Sequence, residues 1–164
     1  EERWLRLIGI HELCPGVEAP VLSPAAIARE VIEEFLPAPP APEIDPGYAI
    51  TGKTAYLETN GNLSPPAQTR PTPLGDIHVS FRGRYRVDWG DGTVTDHDTE
   101  GGPWPAGTIT HTYIHTGRYD VVVTAEWSAD WRIATSAGRI TSGLATTGRI
   151  DDFEVRQLQA VRNR

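Results

Sequence analysis

Apolar and polar residues alternate most cleanly between Arg84 and Ala125. Tyr85, Val87 and Trp89 interleave with Arg84, Arg86 and Asp88, and Tyr119, Val121, Val123 and Ala125 repeat the pattern. A period of two belongs to a strand with one buried and one wet face. Asp91-Gly92 follows the first run and accepts the positive φ of a tight turn. Tyr48–Glu58 reads as a first strand, closed by a turn at Asn60-Gly61, and Ile77, Val79 and Phe81 read as a second. Ile109–Ile114 and Tyr119–Trp127 supply two more. Trp131 and Ile133 predict another, paired back across a turn at Ala129-Asp130, and Ile150, Phe153 and Val155 begin the last. Ser64–Pro73, with four prolines, reads as loop or sheet edge. Asp98–Gly107 and the Gly/Ser/Thr-rich Ser136–Gly148 read as exposed loops. Seven or so short strands at this spacing predict an all-β fold of the sandwich type.

One segment has a different period. Ile27, Val31, Ile32 and Phe35 share a helical face, with Arg29, Glu30, Glu33 and Glu34 elsewhere. Ser23 can cap this helix, Pro24 suits its first position, Leu22 can staple against Ile27, and Pro37 stops it. The predicted helix covers about 23–36. Its apolar stripe, Ile27, Val31 and Phe35 above all, must dock either on the strands or on a partner protein. Pro37–Pro46 holds five prolines in ten residues and reads as an extended, semi-rigid spacer. Residues 1–14 are apolar among charges and read equally as a strand or a docking arm. The expected organisation is an arm, helix and spacer over 1–46 and a β-sandwich over 47–164.

Composition agrees with many short strands: 16 Gly and 14 Pro in 164 residues, with 38% hydrophobic residues. The net charge of −7 argues against a nucleic-acid footprint. No run approaches the ~20 apolar residues of a membrane span. A single cysteine, Cys14, excludes an intrachain disulfide. That usage fits a reducing compartment, or a bacterial exported protein that relies little on disulfides. With no Met even at position 1, the expectation is that a segment has been removed ahead of Glu1.

The alternating runs carry a recognisable signature. Tyr85, Asp88, Gly90, Asp91, Gly92 and Thr93, then His111-Thr112-Tyr113, then Gly117, Tyr119, Val121 and Val123 resemble the PKD domain, an immunoglobulin-like β-sandwich of surface and secreted proteins. Trp89 stands where that family usually has Phe, and Val87 where it usually has Trp. The close match covers about a third of the chain, with looser similarity around it to bacterial exported PKD-domain proteins. The resemblance implies an extracellular or cell-surface location and a non-catalytic structural or binding role through protein contacts or self-assembly. It also implies that Tyr119 acts like a tyrosine corner, its hydroxyl bonded to an upstream backbone group. The signature residues Asp88, Trp89, Gly90, Asp91, Gly92, His111, Tyr113, Gly117 and Tyr119 read as structural, because a motif that defines a fold does not thereby define an activity.

Chemistry beyond the signature is sparse. Gly47–Thr54 matches a phosphate-loop pattern by letter, but a strand and turn follow it where a helix would be needed to hold phosphates. Asp96, Asp98 and Glu100 raise Ca²⁺, although the spacing is not that of an EF-hand. An exposed acidic loop is the plainer reading, and no cofactor is expected. His111 and His115 lie ~13 Å apart along a strand, too far for one metal ion. There is no Gly-x-Ser-x-Gly elbow, and no pair of acids stands out for glycoside hydrolysis. Trp104, in Gly-Gly-Pro-Trp-Pro-Ala-Gly, is the most exposed aromatic candidate. It either stacks on a sugar ring or anchors a partner, or it folds back to fill the bulk missing at Val87. A carbohydrate-binding accessory module using Trp104 is the alternative to a protein-contact module.

Overall fold

The computed structural model describes residues 23–158. One helix, α1 (Pro24–Glu34), precedes eight strands: β1 (Tyr48–Ile50), β2 (Thr54–Leu57), β3 (Gln68–Thr72), β4 (Gly75–Asp88), β5 (Val94–His97), β6 (Ile109–Thr112), β7 (Gly117–Ile133) and β8 (Ser136–Arg156). The fold is all-β with one short helix. The expectations for residues 1–14, Cys14 and Leu22 lie outside the described residues.

Six strands form one sheet. Its main path runs β1-β8-β7-β4-β3, with β5 on β4 as well. β3 and β5 share one edge of β4, β3 along its first residues and β5 along Tyr85–Asp88. β1 runs parallel to the end of β8, placing Tyr48 opposite Glu154. β2 and β6 form a separate antiparallel pair, Leu57 opposite Ile109. Ala55, Leu57 and Ile109 enter the same core as Tyr85, Val87, Trp89, Val121 and Val123, all of them buried.

Besides the Ile77–Phe81 and Arg84–Asp88 runs, expected as separate strands but joined in β4, three elements differ from the sequence expectation. β7 runs unbroken through Ala129-Asp130, and the turn comes at Ala134-Thr135, where Ile133 faces Ser136. Ser136–Gly148 is not a loop but the first part of β8, in register with β7. Gly138 makes room for a ring and Gly148 for the spacer: a Cβ on Gly138 would overlap the Trp131 indole, as one on Gly83 of β4 would overlap that of Trp127, and one on Gly148 would overlap the Pro40 carbonyl. Glycine within a strand marks such close approaches. Third, Tyr48–Glu58 is two strands in two sheets, because Gly52 turns the chain at φ +73°.

The helix stripe packs against the chain's own strands. Ala28, Val31 and Ile32 are buried, Ile27 and Phe35 lie half-buried against the core, and α1 meets β7 and β8. Pro24 takes the first position as expected, but the Ser23 side chain makes no cap hydrogen bond. The spacer is extended and tied down. The Ala41 N–H donates to the Thr59 carbonyl at 2.9 Å, and Glu43 and Glu58 exchange backbone bonds at 2.8 and 2.9 Å. Ile44 is buried, so helix, spacer and strands share one core.

Candidate functional site

The signature residues gather where the two sheets meet. The Asp88 carboxylate accepts the Gly90 N–H at 2.9 Å, and that of Asp91 accepts the Thr93 N–H at 3.0 Å. Gly90, at φ +79°, lies so close to Asp120 that a Cβ would overlap the Asp120 carbonyl oxygen. The other Asp91 oxygen meets His111 Nε2 at 2.7 Å, with side chains only 12% (His111) and 19% (Asp91) exposed. The His111 ring stacks on Trp89 at 4.8 Å, and Trp89 Nε1 donates to Thr95 Oγ1 at 3.0 Å. Burial raises the Asp91 pKa, but hydrogen bonds from His111 and Thr93 outweigh it and hold the carboxyl below its usual range.

Tyr113 completes this joint. Its hydroxyl donates to the Trp89 carbonyl at 3.1 Å, its ring stacks on Tyr119 at 4.9 Å, and burial pushes its phenol pKa up. The Tyr119 hydroxyl donates to the His115 carbonyl at 3.1 Å, an upstream backbone group of the kind a tyrosine corner uses. Gly117 lies against the Tyr119 ring. These side chains spend their polar atoms on one another and on backbone. The arrangement ties β4, β6 and β7 together.

The acidic residues do not converge. Asp96 pairs with Arg86 at 3.4 Å on the outer face. Asp98 is exposed. The Glu100 carboxylate accepts the Leu63 N–H at 2.9 Å, and its carbonyl accepts the Thr59 hydroxyl at 2.8 Å. Among the described residues no three His, Cys, Asp or Glu side chains group as metal ligands would. His97 bonds Thr95 Oγ1 at 2.8 Å, and burial lowers its pKa against the pull of Asp96 and Asp98.

Trp104 has a different setting. It does not fold back, for it is 74% exposed while Val87 is fully buried without it. Its loop is tied to β2 at one end and closed on itself at the other. The Gly102 N–H donates to the Leu57 carbonyl at 3.1 Å, and that of Gly107 to the Pro103 carbonyl at 2.9 Å. Gly101, at φ +77°, sits against the Leu57 carbonyl where a Cβ has no room. The indole so presented borders an open groove of about 280 Å³, lined also by Tyr48, Ile50, Tyr56, Asp45, Lys53 and Thr54. The Arg156 guanidinium lies over the Tyr48 ring, 4.3 Å from its centre, a cation–π contact. Asp45 and Lys53 form no ion pair among the described residues and stand beside three aromatic rings.

Sequence reasoning found Trp104 but missed Tyr48, Tyr56 and Lys53, because one continuous strand was expected there. The turn at Gly52 brings the two tyrosines from different sheets to one groove. A glycine amid Tyr48, Ile50, Ala55 and Leu57 was the signal available. The stretch that matches a phosphate loop by letter is thus strand, turn and strand. No family model matches the chain, and neither a curated protein nor a solved structure matches it. Among the described residues no helix is long and apolar enough to cross a membrane.

Proposed function

We propose that this chain is a non-catalytic, extracellular binding module of an exported bacterial protein, built on a PKD-type immunoglobulin-like sandwich, and that its ligand is a carbohydrate. The observation that carries the reading is the exposed Trp104 indole, fixed by a tied loop, beside Tyr48 and Tyr56. Sugar rings have apolar faces that stack on aromatic side chains, and their hydroxyls need a few placed polar groups. Asp45, Lys53 and Thr54 supply those at the same groove.

Two further observations support it. Among the described residues the groove's lining has one acid, Asp45, whereas glycoside hydrolysis calls for two carboxylates within about 10 Å. The stripe of Ile27, Val31 and Phe35, the other surface offered to a partner, packs against the chain's own core, so the groove is the better-founded surface.

The test is an oligosaccharide array probed with the full chain and with Trp104→Ala. Binding to at least one glycan class is expected, weakened at least about tenfold by the substitution, which corresponds to about 1.4 kcal/mol. An array with no positive glycan, or one on which the two proteins bind alike, contradicts the proposal.

A further inference from the structure

A second cleft, of about 350 Å³, lies near the turn that joins β7 to β8. The sheet register sets His78, Arg132 and Ala137 in one row across β4, β7 and β8, and Ser80, Asp130 and Arg139 in the next. These positions alternate with the buried Ile77, Val79, Ala129 and Ile133, so they stand on the face turned away from the core. All of them but Arg139 line the cleft. The Trp131 indole borders it too, lying so close to Gly138 that a Cβ there would meet its Nε1 at 2.9 Å. The Trp104 groove belongs to the other end of the hairpin, where β1 pairs with Glu154–Arg156. The two sites are separate.

The polar groups of this lining are mostly hydrogen-bond donors. Arg132 has N–H groups and no acceptor, Ser80 offers a hydroxyl, and Trp131 offers an indole N–H. Thr69 Oγ1 holds His78 Nδ1 at 2.9 Å, so a ligand would meet Nε2. The acid in the lining, Asp130, has both oxygens engaged. Arg139 Nε donates to one at 2.6 Å and Nη2 to the other at 2.7 Å. That bidentate bond, with the charges of Arg139 and Arg82, holds the Asp130 carboxyl below its usual range. Arg132 therefore has a basic His78 directly across the strands, where sheets favour opposite charges. At this end of the face Arg82, Arg132 and Arg139 stand against Asp130 and Asp76, a basic patch on a chain of net charge −7. A guanidinium fork matches the geometry of an oxyanion. We propose that this cleft binds an oxyanion, a carboxylate, sulfate or phosphate group, gripped by Arg132 with His78, Ser80 and Trp131 as further donors.

A ¹H–¹⁵N titration of the full chain tests this, with sodium chloride exchanged for sodium sulfate or phosphate at constant ionic strength. Saturable shifts are expected at the Trp131 indole N–H and at the Ser80 and Arg132 amides, while the Trp104 indole stays unmoved. A further arm uses oligogalacturonate on Trp104→Ala, so that neither success nor failure of the sugar reading at the groove enters the result. Saturation by the inorganic ions assigns the site to a free anion, and saturation by oligogalacturonate alone assigns it to an acidic polysaccharide. Arg132→Gln is expected to weaken binding at least about tenfold, as loss of a charge-assisted hydrogen bond implies. Arg132→Lys, which keeps the charge without the fork, should lose less, and His78→Ala gives a second, independent loss. Shifts that grow linearly without saturating, shifts alike in Arg132→Gln and the parent, or none with all three probes would each overturn the proposal.

Discussion

At the scale of single residues, the joint between the sheets depends on Asp91 and His111. Removing the imidazole leaves a half-buried carboxylate short of a partner, and His111→Ala is expected to cost about 1–3 kcal/mol in urea unfolding at pH 7. The Asp91 carboxyl is held below the 3.8 of an unperturbed aspartate. In that range the unfolded chain binds more protons, so the stability from this group is present above pH 3.8 and is lost as pH falls through the lower folded value. The stability gap between wild type and Asp91→Asn should therefore narrow as pH drops through the acid range. A gap that stays constant with pH would remove the carboxylate from the account. These residues were legible in the sequence because their chemistry is local. Asp88 and Asp91 bond the backbone two residues on, a pattern that short-range turn rules capture. The contact to His111 was not legible, since it joins positions 20 apart.

At the scale of elements, the β7–β8 hairpin is the longest feature and the least legible. Ser136–Gly148 looks like loop because its small and polar residues lack an apolar alternation. What keeps it a strand is non-local: Trp131 lies over Gly138, and Trp127 Nε1 donates to Thr146 Oγ1 at 2.9 Å. The turn itself is strained, with Ala134 at φ +48°. A left-handed backbone costs a residue with a Cβ about 1 kcal/mol or more, and glycine avoids most of that. Ala134→Gly is thus expected to raise the melting temperature by a few degrees in a calorimetric scan. A fall would show that the turn is held differently. The Trp104 loop answers in the opposite sense. Gly101→Ala puts a Cβ into the Leu57 carbonyl and should detach the loop from β2, weakening glycan binding as much as Trp104→Ala does. Intact binding in that variant would mean that the loop's anchorage is irrelevant to the site.

At the scale of the whole molecule, one core joins helix, spacer and both sheets, and the Trp104 groove lies where the sheets hand the chain to one another. Trp104 stood out in the sequence because a tryptophan between prolines and glycines has no strand to belong to. The rest of the groove depends on which sheet Tyr48 and Tyr56 join, a tertiary choice that alternation alone does not encode. The central claim is that this groove holds a sugar. The direct measurement is a ¹H–¹⁵N correlation titration of the full chain with β-1,4-linked glucose and N-acetylglucosamine oligomers and with any glycan the array selects. The account predicts saturable shifts of the Trp104 indole N–H and of the Tyr48, Lys53 and Tyr56 amides, with the buried Trp89 indole unmoved. Shifts centred elsewhere, or a spectrum unchanged by every oligomer, would contradict it.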